Sequence, residues 1–140
     1  MEPHLIQPKD LPYIWPEVAA LISKGLAHSN HETNADAFFL PIYTGQQYLW
    51  VGLEDKQINS ALVCEIIRYP LRTSLFILAW STRSGKDYEP WMEHWDSITN
   101  FAKINGCDFI EAKGRKGLAK KLKWTDKHSY VTLELFKGEK

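Results

Sequence analysis

The residues with the clearest chemical potential form one short polar stretch, Arg83-Ser84-Gly85-Lys86. A guanidinium and an ammonium bracket a hydroxyl and a glycine. Such a set can hold an anion, with the cations pairing to it and the N–H groups of a glycine turn pointing at it. One glycine in a loop is a weak motif, so an ordinary polar loop is the competing reading. The elements on either side give the stretch its setting. The apolar run Leu75–Trp80 comes before it and is of strand length. After it, Trp91, Trp95, Ile98 and Ala102 fall at i, i+4, i+7 and i+11, one face of a helix, which is expected to be buried. Asn105-Gly106 can cap that helix, and the run Phe109–Ala112 follows at once. Strand, loop, helix and strand make a βαβ unit with a parallel pair. In such a unit the loop and the helix N-terminus favour an anion, commonly a phosphate.

Other groups carry weaker signals. In the run Ile58–Arg68, Ala61, Val63, Glu65 and Ile67 alternate against Leu62, Cys64 and Ile66, so period alone makes Glu65 a solvent-facing strand residue. Glu54 sits at a turn tip. Lys113 to Lys127 holds seven basic residues and one acid, Asp126, which suits a phosphate, an acidic partner or a solvated helix face. His4, His28, His31, His94 and His128 show no ligand spacing, and no metal site is expected. Nor does residue order define a Ser-His-Asp triad. Cys64 and Cys107 lie beside apolar runs without metal-type spacing and read as reduced, buried thiols of a cytoplasmic protein.

Composition narrows the classes. The chain has 140 residues, 44% of them hydrophobic, which fits one packed domain and is too apolar for disorder. Seventeen basic residues balance seventeen acidic ones, which argues against a general nucleic-acid binder. There is no apolar run of eighteen, and the opening MEPHLIQPKD lacks a signal-peptide pattern, so no membrane association is expected. Most of the six tryptophans should be core, with one or two left for a groove or a partner surface.

In chain order, residues 1–10 read as an extended lead-in. A first helix runs from Pro12 or Pro16 to Ala27, with Val18, Leu21, Ile22 and Leu26 as its stripe and a proline in its first turn. Asn34 caps a second helix over Ala35–Tyr43. Gln47–Leu53 and Ile58–Arg68 form an antiparallel hairpin, and Tyr69-Pro70 turns the chain into Leu75–Trp80. After the βαβ unit come a short helix over Lys116–Lys123 and a last strand over Tyr130–Phe136. The result is an α+β, mixed α/β domain over residues 11–136, with a tail at 137–140.

This order resembles the GNAT acetyltransferase superfamily. There, two helices precede an antiparallel meander, and a fourth strand passes through a pyrophosphate loop into a long helix. The stretch FAKINGCDFIEAKGRKGLAKKLKW is similar to the family's helix end, fifth strand and short helix. More narrowly, the chain is similar to small GNAT-like proteins of tailed bacteriophages, which implies the host cytoplasm or a virion as its location. The resemblance implies acetyl-CoA as cofactor. Its pantetheine would lie along the strand at Leu78 and Trp80, and its phosphates at Arg83, Ser84, Gly85 and Lys86. Glu65 falls where the family often keeps a general base, able to deprotonate an amine acceptor.

The chain departs from the family pattern at two places. The loop Thr82-Arg83-Ser84-Gly85-Lys86-Asp87 lacks the family's second glycine, and Ala119 stands where a tyrosine often serves as general acid. Two functions therefore stand side by side. One is an acetyl-CoA-dependent N-acyltransferase, with coenzyme A and an amine as its partners. The other is a non-catalytic GNAT-fold phage protein, virion-associated or bound to a protein partner or to copies of itself. Nucleic acid is not expected as a partner of either.

Overall fold

The computed structural model describes residues 1–26, 33–83, 91 and 93–112. Among these residues, five strands form one sheet in the order β1-β2-β3-β4-β5. They are β1 (Glu2–Leu5), β2 (Tyr48–Glu54), β3 (Gln57–Arg68), β4 (Thr73–Thr82) and β5 (Phe109–Ala112). Neighbours from β1 to β4 pair antiparallel, whereas β4 and β5 pair parallel. The helices are α1 (Leu11–Leu26), α2 (Phe39–Tyr43) and α3 (Trp95–Ile104), with 3-10 turns at Pro8–Asp10 and Ala35–Phe38. This is the mixed α+β architecture expected, with the βαβ unit spanning β4, α3 and β5.

The segment before α1 is more than a lead-in. Its residues 2–5 are the edge strand of the sheet, in register from Glu2 opposite Leu53 to Leu5 opposite Trp50. Helix α1 begins at Leu11, so Pro16 stands inside it rather than in its first turn. A proline there removes the N–H that would bond one turn back. The buried stripe Val18, Leu21 and Ile22 sits on the sheet, joined by Leu11. Asn34 caps the next element as its type allows, its Oδ1 accepting from the Ala37 N–H at 3.0 Å. That element is a 3-10 turn followed by a short α-helix.

The sheet is buried on both faces. On one, α1 and the turn before α2 cover Leu49, Val51, Ala61 and Val63. On the other, Trp91 and α3 cover Trp50, Leu62, Cys64, Leu75 and Ile77. Trp91, Ile98 and Ala102 are buried, as their spacing predicts. Two features of that helix differ from the expectation. It starts at Trp95, with a turn at Glu93–His94 setting Trp91 apart, and Trp95 is only half-buried. Its indole stacks on that of Trp80, with ring centroids 5.4 Å apart. The C-terminus of α3 closes as read: Gly106 adopts φ +76°, Gly106 N–H donates to Lys103 O, and Cys107 N–H donates to Ala102 O. This pair of bonds needs a left-handed residue between them, which glycine supplies without a Cβ clash.

The short helix over Lys116–Lys123, the strand over Tyr130–Phe136 and Ala119 lie outside the described residues.

Candidate active site

The site is built on β4 and its neighbours. Strand β4 is regular until a bulge: Val63 faces Ala79 and Cys64 faces Ile77, leaving Leu78 as the extra residue. Leu78 and Ala79 both pack toward the α1 face as a result. A bulge leaves one residue outside the ladder and re-aims the local backbone, and bulges recur beside active sites for that reason. The bulge falls where the described pairing with β5 ends, since Ile77 opposite Ala112 is the last parallel pair.

Above the bulge, Trp80 turns to the α3 face and stacks on Trp95, the first residue of α3. Its indole Nε1 is buried without a partner among the described residues. An orphaned donor of this kind costs free energy unless a ligand or water accepts from it. His94, the N-cap of α3, makes no side-chain cap, and Asp96 in the first turn is the acid beside the positive end of the helix.

Arg83 ends the described part of this segment, and its groups serve the scaffold. Its N–H donates to Asn59 O at 2.8 Å, its Nε donates to Ile58 O at 2.8 Å, and its carbonyl accepts from Lys24 Nζ. Helix α1 approaches closely here, because a Cβ on Gly25 would stand 3.0 Å from Ser81 Cβ. Ser84, Gly85 and Lys86, the rest of the proposed anion loop, lie outside the described residues. Arg83 also borders a cleft of about 860 Å³ lined by β1, the first turns of α1 and the β2–β3 hairpin.

Glu65 lies on β3, half-buried, and accepts from Gln47 Nε2 at 3.2 Å. It stands directly opposite Phe76, two residues before the bulge. By alternation with Leu62, Cys64 and Ile66, which pack on the α3 side, Glu65 faces the α1 side together with Leu78. The structure therefore brings Glu65 and Leu78 to one face and Trp80 to the other.

Sequence reasoning placed β5 and its parallel pairing but missed the part its Glu111 plays here. Glu111 of β5 is also opposite Phe76, and the Tyr69 hydroxyl donates to Glu111 Oε2 at 2.8 Å. That bond is the main cause holding the Tyr69 phenol above its ordinary value. The alternation in Phe109-Ile110-Glu111-Ala112 is visible in the sequence, but the parallel register that pairs it is not.

The two thiols stay outside this chemistry. Burial, with the Cys107 charge second, pushes the Cys64 thiol up to about 12, and burial also raises Cys107. Among the described residues, no group of three His, Cys, Asp or Glu side chains is placed to hold a metal ion, and no helix is long and apolar enough to cross a membrane.

No family model and no curated protein matches the chain. Solved structures do. The tetramutant of BH1408 protein from Bacillus halodurans superposes with a TM-score of 0.71 at 18% identity, covering 96% of this chain and 100% of that one. A predicted acetyltransferase with acetyl-CoA from Clostridium acetobutylicum gives 0.69 at 16% identity, covering 96% of each chain. An aminoglycoside acetyltransferase, meta-AAC0020, from an uncultured soil metagenomic sample in complex with sisomicin gives 0.66 at 13% identity, over 95% of this chain and 96% of that one. At these identities the likeness establishes a shared fold, one that solved acetyltransferases carry.

Proposed function

We propose that the chain is an N-acyltransferase that uses acetyl-CoA and an amine acceptor. The observation that carries this reading is the bulge at Leu78, placed where β4 leaves its described pairing with β5 and two residues from the Glu65 rung. The residues present fit the donor. Trp80 offers an orphaned buried indole N–H, and α3 offers an N-terminus without a side-chain cap. The β4 backbone from the Leu78 bulge to Trp80 would hold the pantetheine, and the Ser84–Lys86 stretch with the start of α3 would hold the phosphates, Arg83 being taken up by the scaffold.

When bound, acetyl-CoA supplies an activated acyl carbon that bonds to the amine nitrogen as its C–S bond breaks. The work of this chain is to place the amine and take its proton. Glu65 is suited to both, because a carboxylate pairs with the incoming ammonium and then accepts the proton released as the nitrogen becomes nucleophilic. Gln47 fixes one carboxylate oxygen and leaves the other for the amine. Ala119, standing in the sequence where the resemblance would put a tyrosine, has no hydroxyl to offer a departing thiolate, which can leave unassisted because thiols are fairly acidic. Turnover is accordingly expected to be slow.

A calorimetric titration with acetyl-CoA tests the donor half. Saturable binding is expected, weakened by about 1–3 kcal/mol in Lys86→Ala if that charge meets a phosphate. Absence of binding, or unchanged affinity in Lys86→Ala, rejects the loop as the phosphate site.

A second reading keeps the fold without the chemistry, as an interaction component of a phage particle. It draws on the exposed Tyr43, stacked on the half-buried Phe39, beside the exposed Leu40 on the helical layer. Exposed aromatics enrich interfaces. No acetyl-CoA binding together with stable self-association would favour it.

A further inference from the structure

Register places Glu65, Phe76 and Glu111 on a single rung across β3, β4 and β5. All three are half-buried. They share one face, because Cys64 and Ile66 on β3, Leu75 and Ile77 on β4, and Ile110 and Ala112 on β5 all pack on the α3 side. Gln47, hydrogen-bonded to Glu65, continues the rung beyond β3. Two carboxylates thus flank one phenyl ring. With neighbouring strands near 5 Å apart, their Cα atoms stand about 10 Å from each other.

Two buried oxygens on this face have no hydrogen-bond partner among the described residues. One is Gln47 Oε1, on the amide that holds Glu65. The other is Oγ of Ser74, a fully buried residue on the neighbouring rung, between Ile67 and Phe109. Orphaned polar groups cost free energy unless a partner reaches them. What meets carboxylates, amide and hydroxyl oxygens and an aromatic face together is an ammonium, a donor with no acceptor of its own. The same face already holds one cation over a ring: the Arg72 guanidinium lies 4.0 Å from the Phe109 centroid. Tyr69 orients Glu111 as Gln47 orients Glu65.

We infer that this rung is the acceptor subsite and that it takes an alkyl diamine or polyamine, with one ammonium at Glu65 beside the acyl-transfer point and the second at Glu111. The assignment rests on the acyltransferase reading for its meaning, but diamine binding can be measured without acetyl-CoA. Calorimetry with 1,4-diaminobutane, butylamine and 1,4-butanediol on the whole chain tests it. The diamine is expected to bind about tenfold or more tighter than butylamine, the diol not to bind, and added salt to weaken the diamine. In Glu111→Gln, which keeps an acceptor for Tyr69, the diamine should fall to the butylamine level. Tyr69→Phe should weaken it by a smaller factor, by freeing the Glu111 carboxylate. Equal affinities of diamine and butylamine for the unaltered chain overturn the inference, whether or not the variants fold. So does diamine affinity unchanged in a folded Glu111→Gln. Diamine binding in a chain that ignores acetyl-CoA would uphold this site and sink the acyl-transfer reading alone.

Discussion

Glu65 draws its meaning from its neighbours. Alternation alone makes it one more outward strand residue. The structure makes it a half-buried carboxylate held by Gln47, opposite Phe76 and close to a bulge. Nothing in the letters around it announces this, because a cross-strand partner is set by register, and register by turns and bulges elsewhere. Cys64 is the opposite case. Its apolar surroundings are visible in sequence, and it is fully buried. Its thiol, raised to about 12, keeps its proton in the folded chain at pH values where an unfolded chain would lose it. The sign follows: the contribution of this group is fully present below the ordinary thiol value, and stability is lost as pH rises from there toward 12. Cys64 should resist alkylation in the native chain at pH 8, and Cys64→Ala should flatten the loss of stability between pH 9 and 12. Fast alkylation without unfolding, followed by mass spectrometry, would contradict the burial.

The elements were the most legible scale, and α3 shows where legibility stops. Its capping glycine and its core positions Ile98 and Ala102 follow from a 3.6-residue period and the conformational freedom of Gly106. The same period also enrolled Trp95, which instead leans on Trp80, because the helix starts there and its first turn borders the site. Trp91 and Trp95 should therefore behave differently. Trp91→Ala removes a fully buried indole and should cost roughly 3–5 kcal/mol, whereas Trp95→Ala should cost less than Trp91→Ala. Denaturant midpoints compared at constant m-value check this, and equal losses would place both rings in the core alike. Strand β1 was legible only as extended chain, since four residues with a proline carry little period of their own and gain a place in the sheet by pairing with β2. The 3-10 start of the second helical segment escaped for a similar reason: a helix-capping residue marks where a turn begins without fixing how tightly it winds.

At the scale of the molecule, one sheet separates two helical layers and its two ends are used differently. The β2–β3 hairpin end carries the large cleft and Arg83, which pins β4 to the start of β3. The β3–β4 hairpin end carries the rung of Glu65, Phe76 and Glu111, with the bulge at Leu78 between the two. A donor reaching down β4 from the loop and an acceptor seated on the rung would meet at that bulge, with the proton passing to Glu65. Release of free thiol from acetyl-CoA in the presence of 1,4-diaminobutane, followed in the unaltered chain and in Glu65→Gln, tests this most directly. The account predicts slow, amine-dependent release that falls by roughly 10²–10⁴-fold in Glu65→Gln while acetyl-CoA affinity is retained. No amine-dependent release by the unaltered chain, or equal release by the variant, would contradict it.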